Sequence, residues 1–463
     1  MPDLSRNRYL DAPLAGLYAR TALPIIFVMG MNGLLTVVDA VFLGHYVGPQ
    51  ALAAVTLAFP LYMLIVALST LVAGGMSSLL ARHLGARQLD AARRLYASAH
   101  WLALAAGAAL IVFYALSGGA VVRLAAGGDA TLAAMTGVYL QILVLFSPVF
   151  FVLSVNADAL RNEGHVGFMA AMSLLVSFGN IGFDYLLIGV FRLGIAGSAY
   201  GTILAQAVAL GIVLAYSARG RTLLTPGVVL RHISVEGWGG ILALGAPQSL
   251  NFVGIALAST ALLTALQMIA SPDYAVSVSA YGIATRVMTF AFLPLLGLSQ
   301  AMQTITGNNH GAGLWRRRDG SFRVAAGAAL VFCAGAQAVV TLFAPQIGQA
   351  FVADPLVVAK VGVILPAMVA LFVLSGPQMM VSAHFQAIGD APRAAVLGLA
   401  KPYLFILPLT FLLPLSFGEP AIWWTGPCAE LLLLGLTALV LSRRARRHAL
   451  RWGLFDTSAG GGA

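Results

Sequence analysis

The chain alternates long apolar stretches with short breaks that are charged or rich in glycine and proline. A helix needs about 20 residues to cross a hydrocarbon layer about 30 Å thick, and twelve stretches reach that length. The pattern therefore predicts twelve transmembrane helices, at 21–44, 50–81, 95–118, 131–160, 166–190, 195–218, 238–270, 275–307, 322–345, 356–388, 394–416 and 420–442. Several of these stretches are longer than a straight crossing requires. Prolines give bends a local cause, and they lie at Pro60, Pro148, Pro294, Pro366, Pro377 and Pro408.

The composition supports a membrane protein. Of 463 residues, 60% are hydrophobic and only 9% are charged, whereas soluble proteins carry about 25% charged residues. So few charges cannot cover a globule of this size in water, which excludes an ordinary cytosolic enzyme. The two cysteines lie inside apolar runs and indicate neither a disulfide framework nor a metal cluster. The polar residues 1–19 do not resemble a cleaved signal peptide.

The positions of the basic residues orient the helices. Cytoplasmic loops of membrane proteins collect Lys and Arg, and a cytoplasmic N-terminus places twenty-one basic residues inside and three outside. Both termini are therefore expected in the cytoplasm. The net charge of +10 then indicates contact with anionic lipid of the bilayer and no nucleic-acid partner.

The two halves of the chain are similar to each other at a nearly constant displacement. The matches are Pro24 with Pro247, 54–58 with 280–284, Gly85 with Gly311 and Gly164 with Gly389, displaced by 223, 226, 226 and 225 residues. A duplication spanning six helices gives both halves the same orientation, because six is even. We therefore predict an all-α polytopic membrane protein, with two six-helix lobes related by a parallel repeat about an axis along the membrane normal. The predicted division is 1–221 for the first lobe, 222–236 for a cytoplasmic linker and 237–463 for the second lobe.

Charged groups inside predicted spans are costly and point to function. Asp39 and Asp184 both lie about 27 Å above the inner face on their helices. Asn180 is one turn before Asp184, and Thr202 lies at a comparable depth on the next helix. Together these four residues form a candidate site for a proton or for Na⁺. The alternative is that the two acids never meet and that each bonds to backbone.

The remaining intramembrane charges have simpler explanations. Lys401 and Glu430 fall at similar depth on adjacent antiparallel helices and are expected to form a structural ion pair, which Arg286 would join in one alternative. Asp158 lies three residues before Arg161, so a local ion pair is expected there. A role for these groups in the transport cavity is the other interpretation.

Uncharged residues of the first lobe are candidates for the cavity lining. Asn32 lies seven residues before Asp39 on the same helix face, Asn156 is a polar residue in an apolar span, and Met172 offers an adaptable surface. The alternative is that the amides are ordinary interhelical hydrogen-bonding groups and that the methionine is ordinary packing.

The chain resembles the multidrug and toxic compound extrusion (MATE) family. The resemblance rests on Leu23-Pro24, 38–44 (VDAVFLG), 50–55 (QALAAV), 81–86 (ARHLGA), 180–188 (NIGFDYLLI) and 193–199 (LGIAGSA), and it extends over the whole chain through the repeat. It implies that Asp39, Asn180, Asp184 and Thr202 are the cation site of the branch containing the DNA-damage-inducible protein F, with a conformational role for Pro24. Another branch carries acids at positions that align with Ile255 and Ser375, where this chain has no carboxylate.

The resemblance implies a secondary active antiporter in a bacterial inner membrane. We expect it to export lipophilic, usually cationic organic solutes in exchange for protons, or for sodium, by rocking-type alternating access. No cofactor is expected, and the protein is expected to be a monomer. A lipid-linked saccharide flippase of the same superfamily is the alternative function. A membrane enzyme is not expected, because no catalytic motif was found in the sequence.

Overall fold

The computed structural model describes residues 7–127, 129–269, 274–448 and 450–455. Within these ranges the chain is helical almost throughout, and the only strand-like pairing joins Arg451 to Phe455. In the described part of the chain, ten helices are long and apolar enough to cross a membrane, and the number is twelve when each of two bent pairs of shorter helices is taken as one span. The prediction of twelve spans is therefore confirmed. Residue 270, the predicted end of the seventh span, lies outside the described residues.

The spans are numbered α1 to α12 in chain order. They comprise α1 (Leu14–Tyr46), α2 (Pro49–Gly85), α3 (Leu89–Ala125), α4 (Ala130–Leu145 with Ser147–Asn162), α5 (Val166–Asp184, continued by Tyr185–Val190), α6 (Gly194–Tyr216), α7 (Trp238–Met268), α8 (Tyr274–Gly311), α9 (Trp315–Leu342), α10 (Pro355–Val369 with Phe372–Ile388), α11 (Ala391–Leu399, Ala400–Ile406 and Leu407–Phe417) and α12 (Glu419–Trp424 with Thr425–His448). Short helices at Arg8–Asp11, Pro226–Arg231 and Ala344–Phe351 lie between or before the spans.

Two spans are broken, and their positions support the internal repeat. α4 bends by 48° at Phe146, two residues before Pro148, and α10 bends by 41° beside Leu371. From Phe146 to Leu371 is 225 positions, which is the displacement of the sequence repeat. Pro60 and Pro294 behave differently, since each lies inside a helix that continues without a break.

The described residues pack as two compact units. The first contains 7–11 and 23–249, and the second contains 12–22 and 250–455. The division predicted from the repeat differs from this packing at two pieces, because 12–22 pack with the second unit and 222–249 pack with the first. Both differences end beside a matched proline, since the packing changes near Pro24 within α1 and near Pro247 within α7.

The predicted linker is fixed to the first unit by a carboxylate. Glu163, between α4 and α5, accepts hydrogen bonds from the backbone N–H groups of Leu223 (2.8 Å) and Leu224 (3.2 Å). Leu224 is only 2% exposed and belongs to the apolar core of that unit. Further along, the Trp101 indole N–H donates to the carbonyl of Val229 at 3.3 Å. These contacts explain why the segment after α6 packs with the first unit.

Glu163 makes stability depend on pH. Burial raises its pKa to about 7, although the two backbone N–H donors act in the opposite direction. In the unfolded state the Glu163 carboxyl ionises near pH 4.5. The free energy of unfolding therefore decreases by about 3 kcal/mol as the pH rises from about 4.5 to about 7. We expect Glu163→Gln to remove this loss. The difference in melting temperature, wild type minus variant, should therefore decrease as the pH is raised from 5 to 7.5. A difference that is constant with pH contradicts the assignment, and Glu236→Gln, an exposed residue of the same linker, is the control.

Two glycines of the first unit, one on α2 and one on α7, let the backbones of these helices come into contact. A Cβ on Gly245 would overlap the carbonyl oxygen of Leu71, and a Cβ on Gly75 would overlap that of Ile241. Contact between backbones at small residues is a common way for membrane helices to associate. The glycines at these two positions are therefore required by packing.

Adding a methyl group at this contact should destabilise the first unit. We expect Gly245→Ala to lower stability by about 1–3 kcal/mol, because the overlap is with backbone and cannot be relieved by a side-chain rotation. Thermal unfolding of the purified protein measures the effect. Gly239→Ala on the same helix is the matched control, since its Cβ would meet no atom within 4 Å. Equal melting temperatures for the two variants would refute the packing argument.

Candidate functional site

The candidate site begins where α5 packs against α6. Gly197 and Gly201, four residues apart on α6, let the two helices come close together, and a Cβ on Gly201 would overlap Asp184 Oδ1. The Asp184 side chain is completely buried at this contact. One turn earlier on α5, Asn180 Nδ2 donates to Thr202 Oγ1 at 3.1 Å. The two helices therefore present a carboxylate, an amide and a hydroxyl on facing surfaces.

α1 brings the second acid to the same place. Asp39 faces both Asp184 of α5 and Ser198 of α6. Two tyrosines complete the surroundings, because Tyr139 of α4 lies beside Ser198 and within electrostatic range of both acids, and Tyr62 of α2 lies within range of Asp39. Side chains from five helices thus gather around the two carboxyl groups.

The two carboxyl groups have no basic partner among the described residues. Asp39 Oδ1, both Asp184 oxygens and Ser198 Oγ have no hydrogen-bond partner among the described residues. None of the ion pairs in the described part of the chain involves either acid. Two like charges at short range in an apolar region repel each other and lose hydration, so the doubly ionised pair is unfavourable there. Such a pair can share a proton or hold a cation.

The structure brings the four predicted site residues together as two adjacent pairs. Asp39 faces Asp184, and one helical turn away Asn180 bonds to Thr202. Sequence reasoning missed Ser198, Tyr139 and Tyr62. Ser198 lies one turn before Thr202 on the same helix face, and this spacing was a usable signal. Nothing in the sequence marks the two tyrosines, because many tyrosines in membrane spans only pack.

The three residues predicted to line the cavity have different environments. Asn32 is exposed and accepts a hydrogen bond from Ser177 Oγ at 2.6 Å. Asn156 is 2% exposed and bonds to the hydroxyl of Tyr96 (2.6 Å) and to Nε2 of His100 (2.9 Å). Met172 lines a small apolar cavity of about 40 Å³ between α4, α5 and α6. Their part in solute binding stays a prediction.

Intramembrane charges of the second unit are arranged differently. Lys401 forms an ion pair with Glu430, and Ser375 Oγ also donates to Glu430. Ser375 is one of the two positions where the other branch carries an acid, and here it supports the acid of α12. Arg286 is exposed and joins no ion pair among the described residues, so the alternative that it belongs to the Lys401 pair is not observed. In the first unit, Asp158 pairs with Arg161 at 2.8 Å.

Comparisons with known proteins agree with this architecture. The family model described as MatE matches residues 24–186 and 252–412. The multidrug export protein MepA of Staphylococcus aureus is 23% identical over 437 residues, covering 93% of this chain and 94% of that protein. MepA of Staphylococcus haemolyticus is 24% identical over 424 residues and covers 91% of each chain.

A solved structure shows the same fold. The crystal structure of MATE in complex with MaD3S has a TM-score of 0.85 at 22% identity, covering 95% of this chain and 98% of that one. At this identity the likeness shows the fold alone, whereas the family match spans most of both halves. The chain therefore belongs to the MATE family of multidrug efflux transporters.

Proposed function

We propose that this protein is a secondary active antiporter that exports lipophilic, usually cationic, organic compounds in exchange for protons or sodium ions. The observation that carries the proposal is the Asp39–Asp184 pair of the first unit, in which Asp184 is fully buried, Asp39 is partly buried and neither acid has a basic partner among the described residues. Such a pair cannot stay fully charged and unoccupied, so it takes up a positive ion. The names of the curated relatives, multidrug export proteins, favour this function over a lipid-linked saccharide flippase.

Exchange follows from the charge of the pair. When ionised, the two carboxylates attract a cationic solute, and when they hold a proton or Na⁺ this attraction is reduced. A ligand shifts a conformational equilibrium only through its different affinity for the two states, and the change in charge supplies that difference. Entry of the coupling ion therefore lowers the affinity for cargo, and rocking-type alternating access returns the carrier with the ion bound. Pro24, inside α1, is the proposed position for a change in the helix that carries Asp39.

The polar groups beside the two acids could serve as ligands if the coupling ion is Na⁺. Asn180 uses Nδ2 to donate to Thr202, which leaves its carbonyl oxygen Oδ1 as an acceptor. With the two carboxylates it offers the oxygen ligands that hard cations prefer. A proton needs only the carboxylates, so the identity of the coupling ion is decided by experiment.

The driving force is sufficient for export. One inward positive charge supplies about 2.3 kcal/mol for each 100 mV of membrane potential. One pH unit adds about 1.4 kcal/mol. For a neutral solute, a tightly coupled single ion therefore supports an outward gradient of tens of fold or more. For a monovalent cation exchanged one for one, the contribution of the membrane potential cancels, and one pH unit supports a gradient of about tenfold.

Ion release on cargo binding tests the proposal directly. Purified protein in weakly buffered detergent solution is titrated with a cationic dye such as ethyl-esterified rhodamine B, while a pH indicator reports released protons. For proton coupling, we expect about one proton released per dye bound, and for sodium coupling, dye affinity that falls as NaCl replaces choline chloride. The Asp39→Asn and Asp184→Asn variants should lose either response. Dye binding that releases no proton and is independent of Na⁺ would exclude the proposal.

A further inference from the structure

The two partners of the Lys401–Glu430 ion pair differ in exposure. The Glu430 side chain is 6% exposed, whereas the Lys401 side chain is 23% exposed. The Glu430 carboxylate is surrounded by donors. Ser375 and Lys401 donate to Oε1, and Gln378 Nε2 lies 3.3 Å from Oε2. A solute that approaches this pair therefore meets the ammonium and not the carboxylate.

The Glu430 carboxylate has partners besides Lys401. Lys401 neutralises its charge, while Ser375 Oγ and Gln378 Nε2 satisfy further acceptor positions of its oxygens. The Lys401 ammonium has three N–H donors, and one is used by Glu430. Donors that point away from Glu430 within a membrane span need water or an anion, because hydrocarbon cannot accept them.

The backbone and the neighbouring aromatics set Lys401 in place. Lys401 lies in Ala400–Ile406, a π-helical segment inside α11. Within this segment Lys401 directly precedes Pro402. Interruptions of this kind occur frequently at functional sites. The ammonium lies 5.7 Å from the centre of the Phe292 ring, and Phe292 packs edge-on against Phe372 at 5.5 Å. The cation is therefore next to an apolar aromatic surface.

No other acid in the described part of the second unit competes for this cation. The remaining carboxylates are engaged elsewhere: Asp319 pairs with Arg318, Asp390 with Arg393 and Glu419 with Lys360, and Asp354 caps α10. Arg286, which is exposed, is a second basic residue inside the spans of this unit. The accessible intramembrane charge of the second unit is thus positive, while the candidate cation site of the first unit is acidic.

We propose that the Lys401 ammonium is a specificity-determining subsite that binds a carboxylate group of the cargo, with the Phe292 ring contacting its aromatic part. This inference rests on the proposed export function and adds to it a preference for aromatic solutes that carry a carboxylate. Glu430 holds the ammonium in place from behind. When the carboxylate of the cargo arrives, it takes the donors of Lys401 that Glu430 does not use.

Two dyes that differ in a single charged group test the proposal. Rhodamine B carries a free carboxylate, and its ethyl ester does not. Dissociation constants for both are measured by fluorescence anisotropy with wild type and with the double variant Lys401→Gln/Glu430→Gln, which leaves no unpaired buried charge. We expect the variant to bind the acid about tenfold more weakly and the ester less than twofold more weakly. Lys360→Gln/Glu419→Gln, which removes the other lysine pair of this unit, should change neither constant.

Equal weakening of both dyes, or unchanged binding of the acid, would overturn the proposal. If the double variant does not fold, a competition experiment with wild type alone tests the proposal. Naphthoate should then displace rhodamine B at a concentration at least tenfold lower than naphthylmethanol does, and equal displacement by the two compounds would also overturn the proposal.

Proton release or Na⁺ dependence on binding of the ester is followed in parallel and tests the antiport function separately. Loss of that response alone refutes the coupling, and loss of the acid preference alone refutes the subsite.

Discussion

We expect the replacement of Asp39 with Asn to abolish ion-driven export while the protein still inserts and folds. The amide has the same size as the carboxyl group, so packing against Asp184 and Ser198 is kept, whereas the charge that we propose takes up the coupling ion is lost. We expect efflux of a cationic dye from proteoliposomes to fall to the rate of liposomes without protein. Removing a buried like charge also relieves repulsion on Asp184, so the melting temperature should not decrease.

The matched control for this variant is Asp90→Asn. Asp90 is a largely exposed acid at the start of α3 whose closest basic group, Arg93, is 3.6 Å away, and it should leave transport unchanged. Wild-type rates of ion-driven efflux by purified Asp39→Asn would show that Asp39 is not the coupling group. A loss of transport in both variants would point to a general effect of surface charge.

Substituting Gly201 with Ala has the second-largest expected effect. The new Cβ would overlap Asp184 Oδ1, so the carboxyl group must leave its place beside Asp39 or α5 must move away from α6. We expect less than about a tenth of wild-type ion-driven efflux and a loss of about 1–3 kcal/mol in stability. Gly211→Ala on the same helix is the control, because a Cβ there meets no atom within 4 Å.

A double-mutant cycle identifies the contact that causes the damage. Asp184→Ala removes Oδ1, the atom that the new methyl group would overlap, and of the three nearest atoms leaves only the backbone N of residue 184, at 3.3 Å. The stability cost of Gly201→Ala should therefore be at least about 1 kcal/mol smaller in that background. Additive losses would show that Gly201 is required for some reason other than its contact with Asp184.

The apolar pattern predicted the spans because the membrane imposes a fixed length on each helix. It also placed Asp39 and Asp184 at one depth, since depth follows directly from the helical rise of about 1.5 Å per residue. The ion pair of Lys401 with Glu430 followed from the same arithmetic on antiparallel neighbours. What these successes share is a dependence on position along one helix axis.

Features that depend on rotation about the helix and on packing were not predictable in this way. The breaks at Phe146 and Leu371 lie near prolines, yet Pro60 and Pro294 lie in unbroken helices, so proline alone does not decide where a span bends. The tyrosines around the acids come from helices whose relative rotation is set only by tertiary packing. The packing boundary inside α1 and α7 was equally hidden, because both helices are apolar on either side of it.

The most direct test is efflux of a cationic dye from proteoliposomes in which a pH gradient and a sodium gradient are imposed separately, at zero membrane potential. We expect one of the two gradients to accelerate efflux from liposomes containing wild type, and Asp39→Asn and Asp184→Asn each to remove this acceleration. Efflux that responds to neither gradient, or that responds equally in both variants and in wild type, would contradict this expectation.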